Sequence, residues 1–341
     1  MALGGVTIVV DERDDLFSTQ AALQAHRPED GRITVQPTPA SSSPAALAHD
    51  VLYALGKRLA PGPNSPDVWL DSVNAAWLAA AAWGIATGMR HVVVTRTHLL
   101  TPRRLDQLLA WREITGVQLT LLWQKALHGL PPALARVEHL IIGCAQLEAA
   151  LAEPGPAPAR PYFPPGQAGT AAAEVDPQHS PPTRPLQAHA APRVPRPAHA
   201  CMGAAATAQL VQAAPALKIA SEEAVTLAAL AHPLIAGALS VLAFTRAGLG
   251  SLRFTRDLDI TGDVSAIKLH GVNHRYCPLH AVPDWARPLL AAARAHHRLT
   301  PRPPGDSMFA PLMLAEARHL RAHAGRLPRL GLSLPAGALV P

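Results

Sequence analysis

Cysteine is scarce in this chain: 341 residues carry three, Cys144, Cys201 and Cys277. So few thiols, so widely spaced, exclude a disulfide scaffold and make a reducing cytoplasm the expected compartment. Aromatic residues are 4% of the chain and charged residues 16%, while 49% is hydrophobic. That apolar share excludes disorder of the chain as a whole and suffices for packed cores. Long uncharged runs are rare too. Ala224 to Phe244 has the length of a membrane span, but His232-Pro233 interrupts it. This predicts two buried helices meeting at the proline and no membrane contact. The N-terminus has no basic segment ahead of an apolar one, so no export signal is expected. No Ser–His–Asp order and no pair of carboxylates stands out as a catalytic centre.

What is present is patterned. In residues 1–152, short β-branched runs alternate with helical stretches. Val6 to Val10, Arg32 to Val35, His91 to Val94, Val117 to Trp123 and Val137 to Ile142 read as strands. Runs apolar on both sides suit parallel strands covered on both faces. Helices are expected from Leu16 to His26, from Ala45 to Lys57 with Ser43 as cap, and from Asp67 to Thr87. A further helix starts at Thr101-Pro102 and stops at Gly116, and one more runs from Ala145 to Leu151. The expected fold is α/β, a parallel sheet with helices on both faces. Residues 153–205 are dense in proline and read as a stiff linker. Residues 206–330 return to a mostly helical pattern, with a small hairpin from Ala266 to Leu269 and from Tyr276 to Leu279. Residues 331–341 read as a tail.

The loop after the first strand has the eight-residue spacing of a phosphate-binding G-x-x-x-x-G-K-[ST] loop. Its chemistry departs from that pattern. Asp11 and Leu16 stand in the glycine slots, Phe17 in the lysine slot, and only Ser18 agrees. Three carboxylates, Asp11, Asp14 and Asp15, would repel a triphosphate. At the end of the third strand, Thr95 and Arg96 fill the slots where an acidic pair would hold magnesium. The text HVVVTRTHLLTPRRLDQLLAWREITGVQLTLLW resembles the Walker B to sensor-1 stretch of AAA-type ATPases, particularly the TniB-like ATPases of transposons. RITVQPTPASSSPAALAHDVLYALGKRL resembles their second strand and following helix. The resemblance implies a P-loop-like layout; the departures remove ATP and magnesium from the expected cofactors. An alternative is a residual nucleotide site in which Asp11, Asp14 and Asp15 hold a metal.

The segment from Leu227 to His296 resembles the first part of a tyrosine-recombinase (phage-integrase) catalytic domain. Thr245-Arg246-Ala247-Gly248-Leu249-Gly250-Ser251-Leu252 occupies that family's T-G-L-R-x-S-E-L turn. Gly248 falls where the resemblance implies a catalytic arginine, and Arg246 is out of register. His270 falls near the hairpin lysine, and Arg275 and Pro278-Leu279 match the hairpin's end. His323 to Arg326 carries the H-x-x-R letters, yet no tyrosine follows Tyr276. A covalent strand-transfer nucleophile is therefore missing.

The net charge of +6 is compatible with DNA. The candidate contacts are Arg246, Arg253, Arg256, Arg275, Arg287 and Arg294. His270, His274, Cys277 and His280 are of zinc-ligand type. Seventeen histidines make such clusters common, however, and a histidine-rich exposed hairpin without zinc is the expectation. Together these features predict a non-catalytic, DNA-associated accessory or regulatory protein of a mobile element, with a protein partner. A structural interaction module without DNA contact is the remaining alternative.

Overall fold

The five β-branched runs become strands β1 (Val6–Val10), β2 (Arg32–Val35), β3 (His91–Val94), β4 (Gln118–Trp123) and β5 (His139–Gly143). All are parallel, in the order β2-β3-β4-β1-β5. The structure, a computed structural model, describes residues 5–152 apart from 40, 42 and 60–67. It further describes residues 221–314 apart from 271–276 and 302–305, and Leu320. The expected linker, 153–205, and the tail, 331–341, lie outside the described residues.

Register sorts the side chains onto two faces, because successive residues of a strand point opposite ways. On one face, Ile33, Val92, Leu119 and Val6 form a cross-strand row, and Val35, Val94, Leu121 and Ile8 a second. All eight are buried. Helices α2 (Ala46–Ala54), α3 (Val73–Ala86) and α4 (Pro102–Thr115) bring Leu47, Val51, Trp83, Leu105 and Leu108 into the same core. On the other face Thr34, Val93, Thr120 and Thr7 form a row, with His91 and Leu122 beyond it. There α1 (Leu16–Gln24) and α6 (Leu147–Ala152) supply Ala22, Leu147 and Leu151 to a small separate cluster with Val9, Val93 and Leu122. A short α5 (Pro132–Ala135) precedes β5.

The later part of the chain forms α7 (Ser221–Ala228), α8 (Pro233–Thr245), α9 (Leu249–Leu252), a hairpin of β6 (Ala266–Lys268) and β7 (Leu279–Ala281), α10 (Arg287–Leu299) and α11 (Ala310–Leu314). The uncharged run from Ala224 is divided at His232-Pro233, but only α8 is buried, α7 being largely exposed; no helix among the described residues is long and apolar enough to cross a membrane. His232 caps α8 with its own ring, Nδ1 accepting from the Leu234 N–H at 3.2 Å.

The described residues of the two stretches, 5–152 and 221–320, belong to one compact unit. Helix α3 explains this. Ala79, Ala80, Ala81, Ala82 and Trp83 are consecutive and buried. A helix apolar all round needs cover on every side: α2 and α4 pack against α3, and so do α8 and α10. The Trp83 indole donates to the Ala231 carbonyl at 2.8 Å. Lys57 lies over the Trp83 ring, 3.3 Å from its centroid, and donates to the Ala228 carbonyl at 2.6 Å. At the α8–α10 crossing, a Cβ on Gly237 would overlap that of Ala293.

Several boundaries differ from the sequence reading. Ser43 is not a side-chain cap: α2 starts after Ala45, and Ser43 contributes its carbonyl, which accepts from Ala46. The stretch from Asp67 to Thr87 is not one helix. A 3-10 turn, Val68–Asp71, is followed by Ser72 in extended backbone before α3 begins. Thr101 and Gly116 act as expected: the threonine hydroxyl accepts from the Arg104 N–H, and the glycine ends α4 at φ 72°.

Candidate functional site

Ligands of parallel α/β sheets sit outside the carboxyl ends of the strands. Here those ends bring together the loop after β1, the turn after β3 and the residues after β4. Asp11 is buried, and its N–H bonds to the Trp123 carbonyl at 3.0 Å, extending the β1–β4 pairing by one residue. The Asp11 carbonyl accepts from Asp14 at 3.2 Å, and its carboxylate from the Asp15 N–H at 2.9 Å. Asp15 is the N-cap of α1. Its carboxylate accepts from the Phe17 N–H at 3.0 Å and its carbonyl from the Ser18 N–H at 3.1 Å. Four of the five N–H donors from Asp14 to Ser18, in a loop that could cradle an anion, are thus engaged by the oxygens of two aspartates.

Gln124, directly after β4, ties this loop to the turn after β3. Its amide nitrogen donates to Asp14 at 2.7 Å and to the Thr19 hydroxyl at 2.8 Å. Its amide oxygen accepts from the Arg96 N–H at 2.9 Å. Asp14 and Arg96 both hold left-handed backbone, φ 50°, which non-glycine residues adopt at a cost of about 1 kcal/mol or more each. Thr95 and Thr97 are buried, and the Thr97 hydroxyl donates to the carbonyls of Val94 and Leu122. His98 lies edge-on to Trp123, with ring centroids 6.4 Å apart. Burial pushes its imidazolium below the ordinary range, and Lys125 and Arg96 add to this against the opposing pull of Asp14.

The structure therefore gathers the six sequence-predicted positions at one end of the sheet, with different roles. Asp11 organises the turn, Leu16 and Phe17 are exposed on the first turn of α1, and Ser18 is buried with a hydroxyl that has no hydrogen-bond partner. Thr95 is buried under the site, and Arg96 is exposed above it. Sequence reasoning missed Gln124, the residue that joins all three strand ends. A polar residue immediately after a buried parallel strand was the available signal.

The basic candidates scatter. Arg246 is exposed and ends α8 in left-handed backbone. Arg253 is exposed beside the Phe254 ring. The Arg256 N–H donates to Asp259 at 2.8 Å, and Arg287 pairs with Asp284. Arg294 is held by Asp257 at 2.6 Å and by the Thr261 carbonyl at 2.8 Å, and Arg298 binds the same carboxylate. Burial opposes the charge on Asp257, but the two guanidiniums outweigh it and hold the carboxyl below its usual range. Arg275, His274 and the segment His323 to Arg326 lie outside the described residues.

The remaining zinc-type residues separate across the hairpin. Ile267 pairs with His280 and Lys268 with Leu279, and the Leu269 N–H bonds to the Pro278 carbonyl. Continuing this register sets His270 opposite Cys277, while strand alternation puts His280 on the other face. The His270 Nδ1 to Cys277 Sγ distance is 3.2 Å. Among the described residues no group of three or more His, Cys, Asp or Glu side chains is arranged to hold a metal ion. No protein family, curated protein or solved structure matches the chain.

Proposed function

We propose that this chain is a DNA-associated accessory or regulatory protein that uses an ATPase-like sheet without turning over nucleotide. The observation that carries the reading is the loop after β1. A phosphate-binding loop works by presenting free N–H groups to an anion. Here the N–H groups of Asp15 and Phe17 are taken by the carboxylates of Asp11 and Asp15, and those of Asp14 and Ser18 by the carbonyls of the same two residues, so the site carries its own anions at two of its donors. Binding a triphosphate would require breaking those bonds and bringing phosphate against the carboxylates. Gln124 further fixes the loop against the Arg96 turn, and no carboxylate stands in the Thr95-Arg96 slots.

The rigid, closed strand ends serve as a scaffold surface for a protein partner. DNA contact is assigned to the exposed Arg246 and Arg253 and not to Arg294, whose charge Asp257 already balances. The test uses labelled ATP, with and without magnesium, and a labelled DNA duplex, each titrated with the full chain. The expected result is no ATP binding at millimolar nucleotide and duplex binding that weakens steeply with salt. Magnesium-dependent ATP binding lost in Asp14→Ala/Asp15→Ala would overturn the first part. Failure to bind duplex even at low salt would leave the scaffold without its DNA.

A further inference from the structure

The corner between the hairpin and the 3-10 turn Asp257–Asp259 holds a three-residue relay that the proposed function does not use. His270 is buried, and its two ring nitrogens have different neighbours. Nε2 lies 2.9 Å from Asp259 Oδ1, and Nδ1 lies 3.2 Å from Cys277 Sγ. Asp259 is itself fixed, since its other oxygen accepts from the Arg256 N–H at 2.8 Å. Its side chain is 4% exposed, so it cannot turn away into solvent. Cys277 is half-buried.

The tautomer follows from these partners. A carboxylate only accepts, so the ring hydrogen of neutral His270 sits on Nε2, facing Asp259. Nδ1 then carries the lone pair, and that lone pair points at the thiol. A thiol beside an imidazole held in this way can pass its proton to the ring. The resulting imidazolium is stabilised by the carboxylate behind it, and the thiolate by the imidazolium in front. Among the described residues of this corner, Asp257, Arg294 and Arg298 are committed to one another, while Arg256 and Lys268 also lie nearby.

We propose that Cys277, His270 and Asp259 form a nucleophilic thiol site that takes carbon electrophiles. The S–H proton moves to His270 Nδ1, the thiolate sulfur forms a bond to the electrophilic carbon, and the leaving group departs with that carbon's bonding pair. Asp259 is a positioning residue, acting through His270. This inference concerns a different part of the molecule from the sheet end and stands independently of nucleotide or DNA binding.

The test is alkylation of the full-length reduced protein by iodoacetamide at pH 6, with each cysteine followed by peptide mass spectrometry. There the sulfur–carbon bond forms as iodide leaves. An ordinary thiol is under about 1% ionised at pH 6. Thiolate formation, offset by the lower nucleophilicity of a more acidic thiol, leaves Cys277 about tenfold faster in the native protein than in the urea-unfolded chain. His270→Gln, checked for folding by circular dichroism, removes that acceleration, and Asp259→Asn reduces it. Native Cys277 reacting no faster than the unfolded chain overturns the proposal without recourse to any variant. So does a folded His270→Gln protein that keeps the wild-type rate.

Discussion

The two faces of the sheet differ in depth and in chemistry. Toward α3 the strands present two rows of aliphatic side chains, and the core continues through α3 into α8 and α10. Toward α1 and α6 they present threonines and His91 among a few apolar residues, and the cluster stops at one helix layer. The difference teaches where the chain's cohesion lies. The deep face joins residues from distant parts of the sequence, whereas the shallow face buries polar groups that are only partly satisfied: His91 Nε2 pairs with Thr120 at 2.8 Å, but its Nδ1 and the Ser18 hydroxyl have no partner.

The sharpest way to break this contrast is Trp83→Ala. The indole is fully buried, bonds to Ala231 and underlies Lys57, so its removal costs about 3–5 kcal/mol. Urea denaturation measures this, and a loss below about 1 kcal/mol would mean that the α3–α8 side is not a true core.

The shallow face responds to acid instead. Burial, helped by Arg32, pushes the His91 imidazolium down to about 4. The unfolded chain takes up this proton near pH 6.5 and the folded chain only near 4. The contribution is therefore complete above about pH 6.5 and is lost as pH falls toward 4, about 3 kcal/mol in all. His91→Gln should flatten this part of the stability curve when urea midpoints at pH 7 and pH 4.5 are compared; an unchanged acid sensitivity would assign it to other groups.

The smallest effect sharpens the geometry of the deep face. Gly237→Ala forces a methyl group against Ala293 and the Leu289 carbonyl, and the helices must separate at a cost of about 1–3 kcal/mol. A neutral thermal melt would show that the α8–α10 crossing has slack.

Much of this was readable beforehand. β-branched runs, Pro102 after a capping threonine and Gly116 located strands and helix ends because their signals are local. The continuous core was not readable, since an alanine-rich helix such as α3 has no polar stripe to say which side meets what. The candidate site was half visible. The spacing from Asp11 to Ser18 singled out the loop that leaves the carboxyl end of β1, but whether carboxylates repel a ligand or satisfy their own backbone depends on turn geometry. Asp259 could not be linked to His270 from spacing, because register within the hairpin and the position of the preceding turn decide that contact. The Cys277–His270 pair, by contrast, follows from hairpin register alone.

The burial of α3 has a consequence for synthesis. The helix ends at Ala86, but α10, which lies against it, is complete only at Leu299. A ribosome adds about 5–20 residues per second, so the roughly 200 intervening residues take roughly 10–40 s. Throughout that interval the nascent sheet carries a bare alanine-and-tryptophan surface, a substrate for whichever chaperone meets the chain first.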